Sequence, residues 1–88
     1  MNTKQAKKQL FKELQSIAKY NDNNRNFKFG STLVIELYGN GELFDTRKYS
    51  EYIESYRIVS SMQNVINDIV NSTDCDSYEL RYYMEYGI

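Results

Sequence analysis

Histidine, tryptophan and proline are absent from the 88 residues, and cysteine occurs once. Without histidine the chain lacks the commonest general base and the commonest metal ligand, and no Ser-His or Cys-His nucleophile pair can form. Metal sites built from cysteine and histidine are excluded with it. The lone Cys75 cannot belong to an intrachain disulfide framework, and between Asp74 and Asp76 it reads as an ordinary loop thiol. No uncharged apolar run approaches the ~18 residues of a membrane span. A secretory signal is not expected either. Lys4, Lys7 and Lys8 lead into Leu10, Phe11, Leu14 and Ile17, but Lys12, Glu13, Gln15 and Ser16 interrupt them. The expected location is the cytoplasm.

What is present fits a single α+β domain over residues 1–88. Hydrophobic residues make up 41% and charged residues 26%, a globular balance rather than a disordered one. A chain this short buries only about 60–65% of its unfolded surface, so a thin core is expected. The net charge of −1 conceals an asymmetry. Residues 1–28 hold seven basic side chains against Glu13 and Asp22, or +5, whereas residues 29–88 hold four basic against ten acidic, or −6. Such a dipole can offer opposite signs to different partners. Asn, Lys, Tyr, Ile and Phe total 36 residues, whose A+T-rich codons point to a low-GC bacterium or one of its phages.

Hydrophobic spacing predicts the elements. With Thr3 as N-cap, Ala6, Leu10, Phe11, Leu14, Ile17 and Ala18 form the stripe of a helix over about 4–20, with Lys4, Lys8, Lys12 and Lys19 opposite. The cluster Asn21-Asp22-Asn23-Asn24 is expected to end it in a turn. Segments 32–38 and 42–47 flank Gly39-Asn40-Gly41, and Asn-Gly signals a two-residue type I′ hairpin loop. In that register Leu37 opposes Phe44. Leu33, Ile35, Leu37 and Phe44 then share one face, with Val34, Glu36, Tyr38, Leu43 and Asp45 on the other. Residues 51–71 read as one helix capped by Ser50, with Tyr52, Tyr56, Val59, Met62, Ile66, Ile69 and Val70 inward; a third hairpin strand before a shorter helix is the alternative. Residues 78–86 alternate as a half-buried strand, Tyr78, Leu80, Tyr82, Met84 and Tyr86 against Glu79, Arg81, Tyr83 and Glu85. The expected fold is α+β, a two-layer sandwich in α-β-β-α-β order, with two helices on one face of a three-stranded antiparallel sheet (or, alternatively, α-β-β-β-α-β).

Few constellations in the chain could carry chemistry. Glu36, Asp45 and Glu79 are the one set that could offer oxygen ligands to magnesium or calcium. In the expected hairpin Glu36 and Asp45 lie opposite each other, with Arg47 placed to neutralise them, so no metal and no cofactor are expected. Gly39-Asn40-Gly41 lacks the longer glycine pattern and following helix of a phosphate loop. Two-carboxylate catalysis needs a cleft that nothing suggests, and the chain is not expected to be an enzyme.

Recognition remains. Tyrosine gives large rigid contact area and a polar tip at low entropy cost, and there are nine. Tyr52, Tyr56, Tyr78 and Tyr82 are expected in the core, whereas Tyr38 and Tyr83 join Glu36, Asp45, Glu79 and Glu85 on the outer sheet face. The leading expectation is a non-enzymatic protein-binding module docking that acidic, tyrosine-bearing face on the basic surface of a host protein. Size and composition suggest an inhibitor carried by a phage or mobile element and aimed at a host defence protein, such as an anti-CRISPR. The alternative is a nucleic-acid-binding regulator using Lys4, Lys8, Lys12 and Lys19, with Lys7, Arg25 and Lys28 adding charge and Phe27 or Phe29 stacking. Membrane-surface binding is not expected, since tryptophan is missing and the helix needs its apolar stripe for the core. The edge of the last strand offers a route to a homodimer.

Overall fold

The computed structural model describes residues 2–24, 30–50 and 53–86. The elements are α1 (Thr3–Asn24), β1 (Ser31–Gly39), β2 (Glu42–Ser50), α2 (Ser55–Ser72) and β3 (Tyr78–Tyr86). The sheet is antiparallel in the order β2-β1-β3. Leu33, Ile35 and Leu37 of β1 join Ala6, Leu10, Leu14 and Ile17 of α1 and Ile58, Met62, Ile66 and Val70 of α2 in one buried cluster. Both helices therefore cover one sheet face, in the expected α-β-β-α-β order. The alternative with a third hairpin strand is set aside, because residues 55–59 are helical.

Asn2, not Thr3, caps α1: its side-chain oxygen accepts the Gln5 amide at 2.8 Å, while Gln5 Oε1 accepts the Asn2 amide at 3.4 Å. The helix also runs through the asparagine cluster expected to stop it. Asn21 is buried, and its Nδ2 donates to Ser55 Oγ at 2.9 Å. Ser55 Oγ in turn directs its one proton toward Asp22 Oδ1, with the Ala18 carbonyl also within reach at 3.3 Å. Tertiary partners at the start of α2 thus hold residues whose local preference is a turn. Ser50 belongs to β2 rather than capping α2, and Glu54 holds the N-cap position without a side-chain bond.

The hairpin turn is as expected, with positive φ at Asn40 (52°) and Gly41 (79°) and with Gly39 opposite Glu42 and Tyr38 opposite Leu43. Beyond it the register departs from expectation. A bulge puts Asp45, not Phe44, across from Leu37, and every later β2 residue moves to the other face. The cause is visible in the two registers. Strict alternation would set Lys48 beside Leu33 beneath the helices, whereas the bulge sets Tyr49 there and sends Lys48 outward beside Val34. Tyr49 is buried and its hydroxyl meets Ser61 Oγ at 2.9 Å, tying β2 to α2. Burial raises the Tyr49 phenol above the ordinary 10.0, with the Ser61 bond and the Arg47 charge opposing. The ring of Phe44 and the Cys75 Sγ lie over Gly39, so close that a Cβ there would have no room.

Tyrosine placement was partly as expected. Tyr78 is buried, but Tyr82 is 42% and Tyr56 63% exposed; α2 instead turns Ile58 and Val65 inward. Tyr52 lies outside the described residues. Among the described residues no helix is long and apolar enough to cross a membrane.

Candidate functional site

The sheet face away from the helices is built in four cross-strand rows, read from β2 through β1 to β3. They are Leu43–Tyr38–Glu79, Thr46–Glu36–Arg81, Lys48–Val34–Tyr83 and Ser50–Thr32–Glu85. Residues directly opposite on neighbouring strands share a face, so these twelve side chains form one surface. Five of the six proposed docking residues, Glu36, Tyr38, Glu79, Tyr83 and Glu85, lie on it. Asp45 does not: the bulge places it opposite Leu37, where its Oδ2 receives the Arg47 Nε–H at 2.8 Å. The like-charge pair expected between Glu36 and Asp45 therefore does not exist. The proposed oxygen-ligand trio is split between faces, and among the described residues no cluster of acidic or thiol side chains could hold a metal.

The face is ordered by its own contacts. Tyr38 donates its hydroxyl to Glu36 Oε1 at 3.1 Å, and the Arg81 guanidinium sits 4.1 Å from the centre of the Tyr38 ring. Arg81 also donates to Glu79 Oε1 at 2.7 Å, a bond that, with the charge behind it, holds the guanidinium more firmly protonated. At the other end Lys48 Nζ reaches Glu85 at 3.6 Å, crossing β1 between Val34 and Thr32. Val34 is fully buried yet lies outside the core cluster under the helices. Leu43 (48% exposed) and Tyr83 (46%) add apolar area. The face thus carries three carboxylates and two cations, a smaller acidic excess than the carboxylates alone suggest. Strict alternation along β2 hides Lys48 from this face, and only the bulge brings it there. The signal for it was Tyr49, an aromatic beside a lysine where only one of the two could enter a core.

Lys4, Lys8, Lys12 and Lys19 are exposed on the side of α1 away from Leu10, Leu14 and Ile17. Among the described residues none of the four forms an ion pair. Lys12 and Lys19 border a shallow, open depression with Gln15, Ser16, Ala18 and Asp22. Arg25, Phe27, Lys28 and Phe29, which were to extend this surface, lie outside the described residues. The two candidate surfaces occupy opposite sides of the sandwich. No protein-family model, no curated protein and no solved structure matches the chain.

Proposed function

We propose that this chain is a non-enzymatic protein-binding module that docks its outer sheet face on a basic surface of a partner. The observation that carries the reading is the pre-ordered array of Glu36, Tyr38, Glu79, Arg81, Tyr83 and Glu85 on a face that neither helix covers. Exposed ion pairs such as Arg81–Glu79 and Lys48–Glu85 add little net stability, so a partner's cations can take over the carboxylates at little cost. Tyr38 and Tyr83 supply rigid contact area among them. The chain's size and A+T-rich composition fit an inhibitor carried by a phage or mobile element against a host defence protein, such as an anti-CRISPR.

The test is affinity capture from a lysate of the native host, comparing the wild type with the Glu36→Lys/Glu79→Lys/Glu85→Lys variant. The reading expects a basic partner whose recovery falls about tenfold or more, the equivalent of ~1.4 kcal/mol, with an unchanged circular dichroism spectrum. Asp45→Lys, on the other face, serves as the control and should capture normally. Undiminished recovery by the folded triple variant would overturn the reading. A second reading, nucleic-acid binding through α1, is favoured by the exposure of Lys4, Lys8, Lys12 and Lys19, none of which forms an ion pair among the described residues. Its test is an electrophoretic shift with mixed DNA and RNA at low salt.

A further inference from the structure

The two edges of the sheet are not equivalent. On β2 the edge is broken by the bulge at Phe44 and Asp45 and lined by Arg47 and Lys48, devices that discourage strand pairing. On β3 the first half is closed by α1. The Leu80 amide donates to Glu13 Oε1 at 3.2 Å, and the Tyr78 carbonyl accepts from Gln9 Nε2 at 3.3 Å. These bonds show which way the strand's backbone points. A residue's N–H and C=O leave a strand on the same side, so Tyr78, Leu80, Tyr82, Met84 and Tyr86 all direct theirs outward. The intervening residues direct theirs to β1, as the Ser77 carbonyl does in accepting the Asn40 amide at 2.9 Å. Among the described residues nothing bonds the outward groups of Tyr82, Met84 and Tyr86. Tyr82 and Tyr86 are 42% and 51% exposed beside them, and the Tyr82 ring is held edge-on to Tyr20 at 5.0 Å.

We propose that this open half of β3 pairs antiparallel with the same segment of a second copy, joining two sheets into one of six strands. A second copy fits this edge because the segment can face itself without a like-charge clash. An antiparallel two-fold pairing that engages all three open positions, and leaves Leu80 to Glu13, is centred on Met84; a centre at Glu85 would set that carboxylate against its own copy. Met84 then meets Met84 of the second copy, and Tyr82 meets its Tyr86 on the helix side. On the outer side Tyr83 meets its Glu85, a phenol beside a carboxylate. No like charges oppose each other in this arrangement, which is what a self-complementary edge requires. The inference rests on the strand's edge and not on the proposed docking function, although Tyr83 and Glu85 take part in both.

Equilibrium sedimentation of the full chain tests it. Such a contact falls at the small end of interfaces, so the measurement must reach about 0.5 mM. The expected result is a mass rising with concentration toward twice the 10.5 kDa of the chain. Tyr82→Lys combined with Tyr86→Lys sets lysine against lysine at both Tyr82–Tyr86 pairs, and should weaken association about tenfold or more while leaving the monomer folded. The register is read by oxidative cross-linking, with wild type as background. Met84→Cys should link to itself, because hydrogen-bonded opposite positions bring Cα atoms to about 5.5 Å. Tyr82→Cys alone should not, since two such positions stand roughly 13 Å apart along the strand. Mixed with Tyr86→Cys it should link. A 10.5 kDa species at every concentration would overturn the proposal, and so would a dimer in which Met84→Cys fails to link or Tyr82→Cys links to itself equally well.

Discussion

At Asn40 the backbone takes φ 52° while the side-chain oxygen accepts the amides of Asp76 and Ser77, at 3.0 and 3.2 Å. The first property makes the hairpin, and the second fastens its tip to the loop that leads into β3. Glycine satisfies the first and not the second. Asn40→Gly should therefore keep the hairpin but lose about 1 kcal/mol in urea unfolding, because two exposed amides exchange a fixed acceptor for water. Asn40→Asp keeps an acceptor oxygen and should lie closer to wild type. If Asn40→Gly were as stable as wild type, the loop attachment would carry no net energy. Only the backbone half of this role was legible beforehand, since Asn-Gly is a local signal. The Asp76 and Ser77 partners lie 36 and 37 positions away, and no periodicity reports them.

The same division separates the elements that were foreseen from those that were not. Helices, strands and their order follow from 3.6- and 2-residue spacing, which is a property of each segment by itself. The bulge in β2, the extension of α1 through Asn24 and the start of α2 at Ser55 are set by contacts between segments. Phe44 fills the space over Gly39, Asn21 finds Ser55, and Tyr49 displaces Lys48 from the core side. The β1 and β3 members of the outer face stay together because those strands alternate without interruption; Asp45 leaves that face because β2 does not. The junction of α1 with β3 is equally tertiary. Glu13 bonds the Leu80 amide and also accepts from Gln9 at 3.1 Å. Glu13→Ala leaves that edge amide to solvent, with an expected loss of about 1–2 kcal/mol. Hydrogen exchange should show the Leu80 amide opening faster, while Arg81, bonded toward β1, keeps its protection. Unchanged exchange at Leu80 would mean that the clamp does not persist in solution.

Across the whole molecule the two readings of function fall on opposite sides of one thin sandwich, and the charge asymmetry of the chain becomes an asymmetry of its surfaces. The lysines of α1 face away from the helical layer's core, and the glutamates of β1 and β3 face away from the sheet. At physiological ionic strength charges are screened over about 8 Å, so surfaces on either side of a helix layer and a sheet act almost independently. Lys4→Ala/Lys8→Ala/Lys12→Ala should then capture the partner within about twofold of wild type at that ionic strength. Lowering the salt extends the field, and the same variant should capture a basic partner faster than wild type, because three repelling charges are gone. Nucleic-acid binding through α1 makes the opposite demand. Any shift of DNA or RNA must weaken steeply with salt, and the slope must fall by about 0.9 for each lysine in contact with duplex phosphate. Capture lost with the lysines and retained with the glutamate reversals would invert the order of the two readings, since only the helix surface would then be carrying a partner.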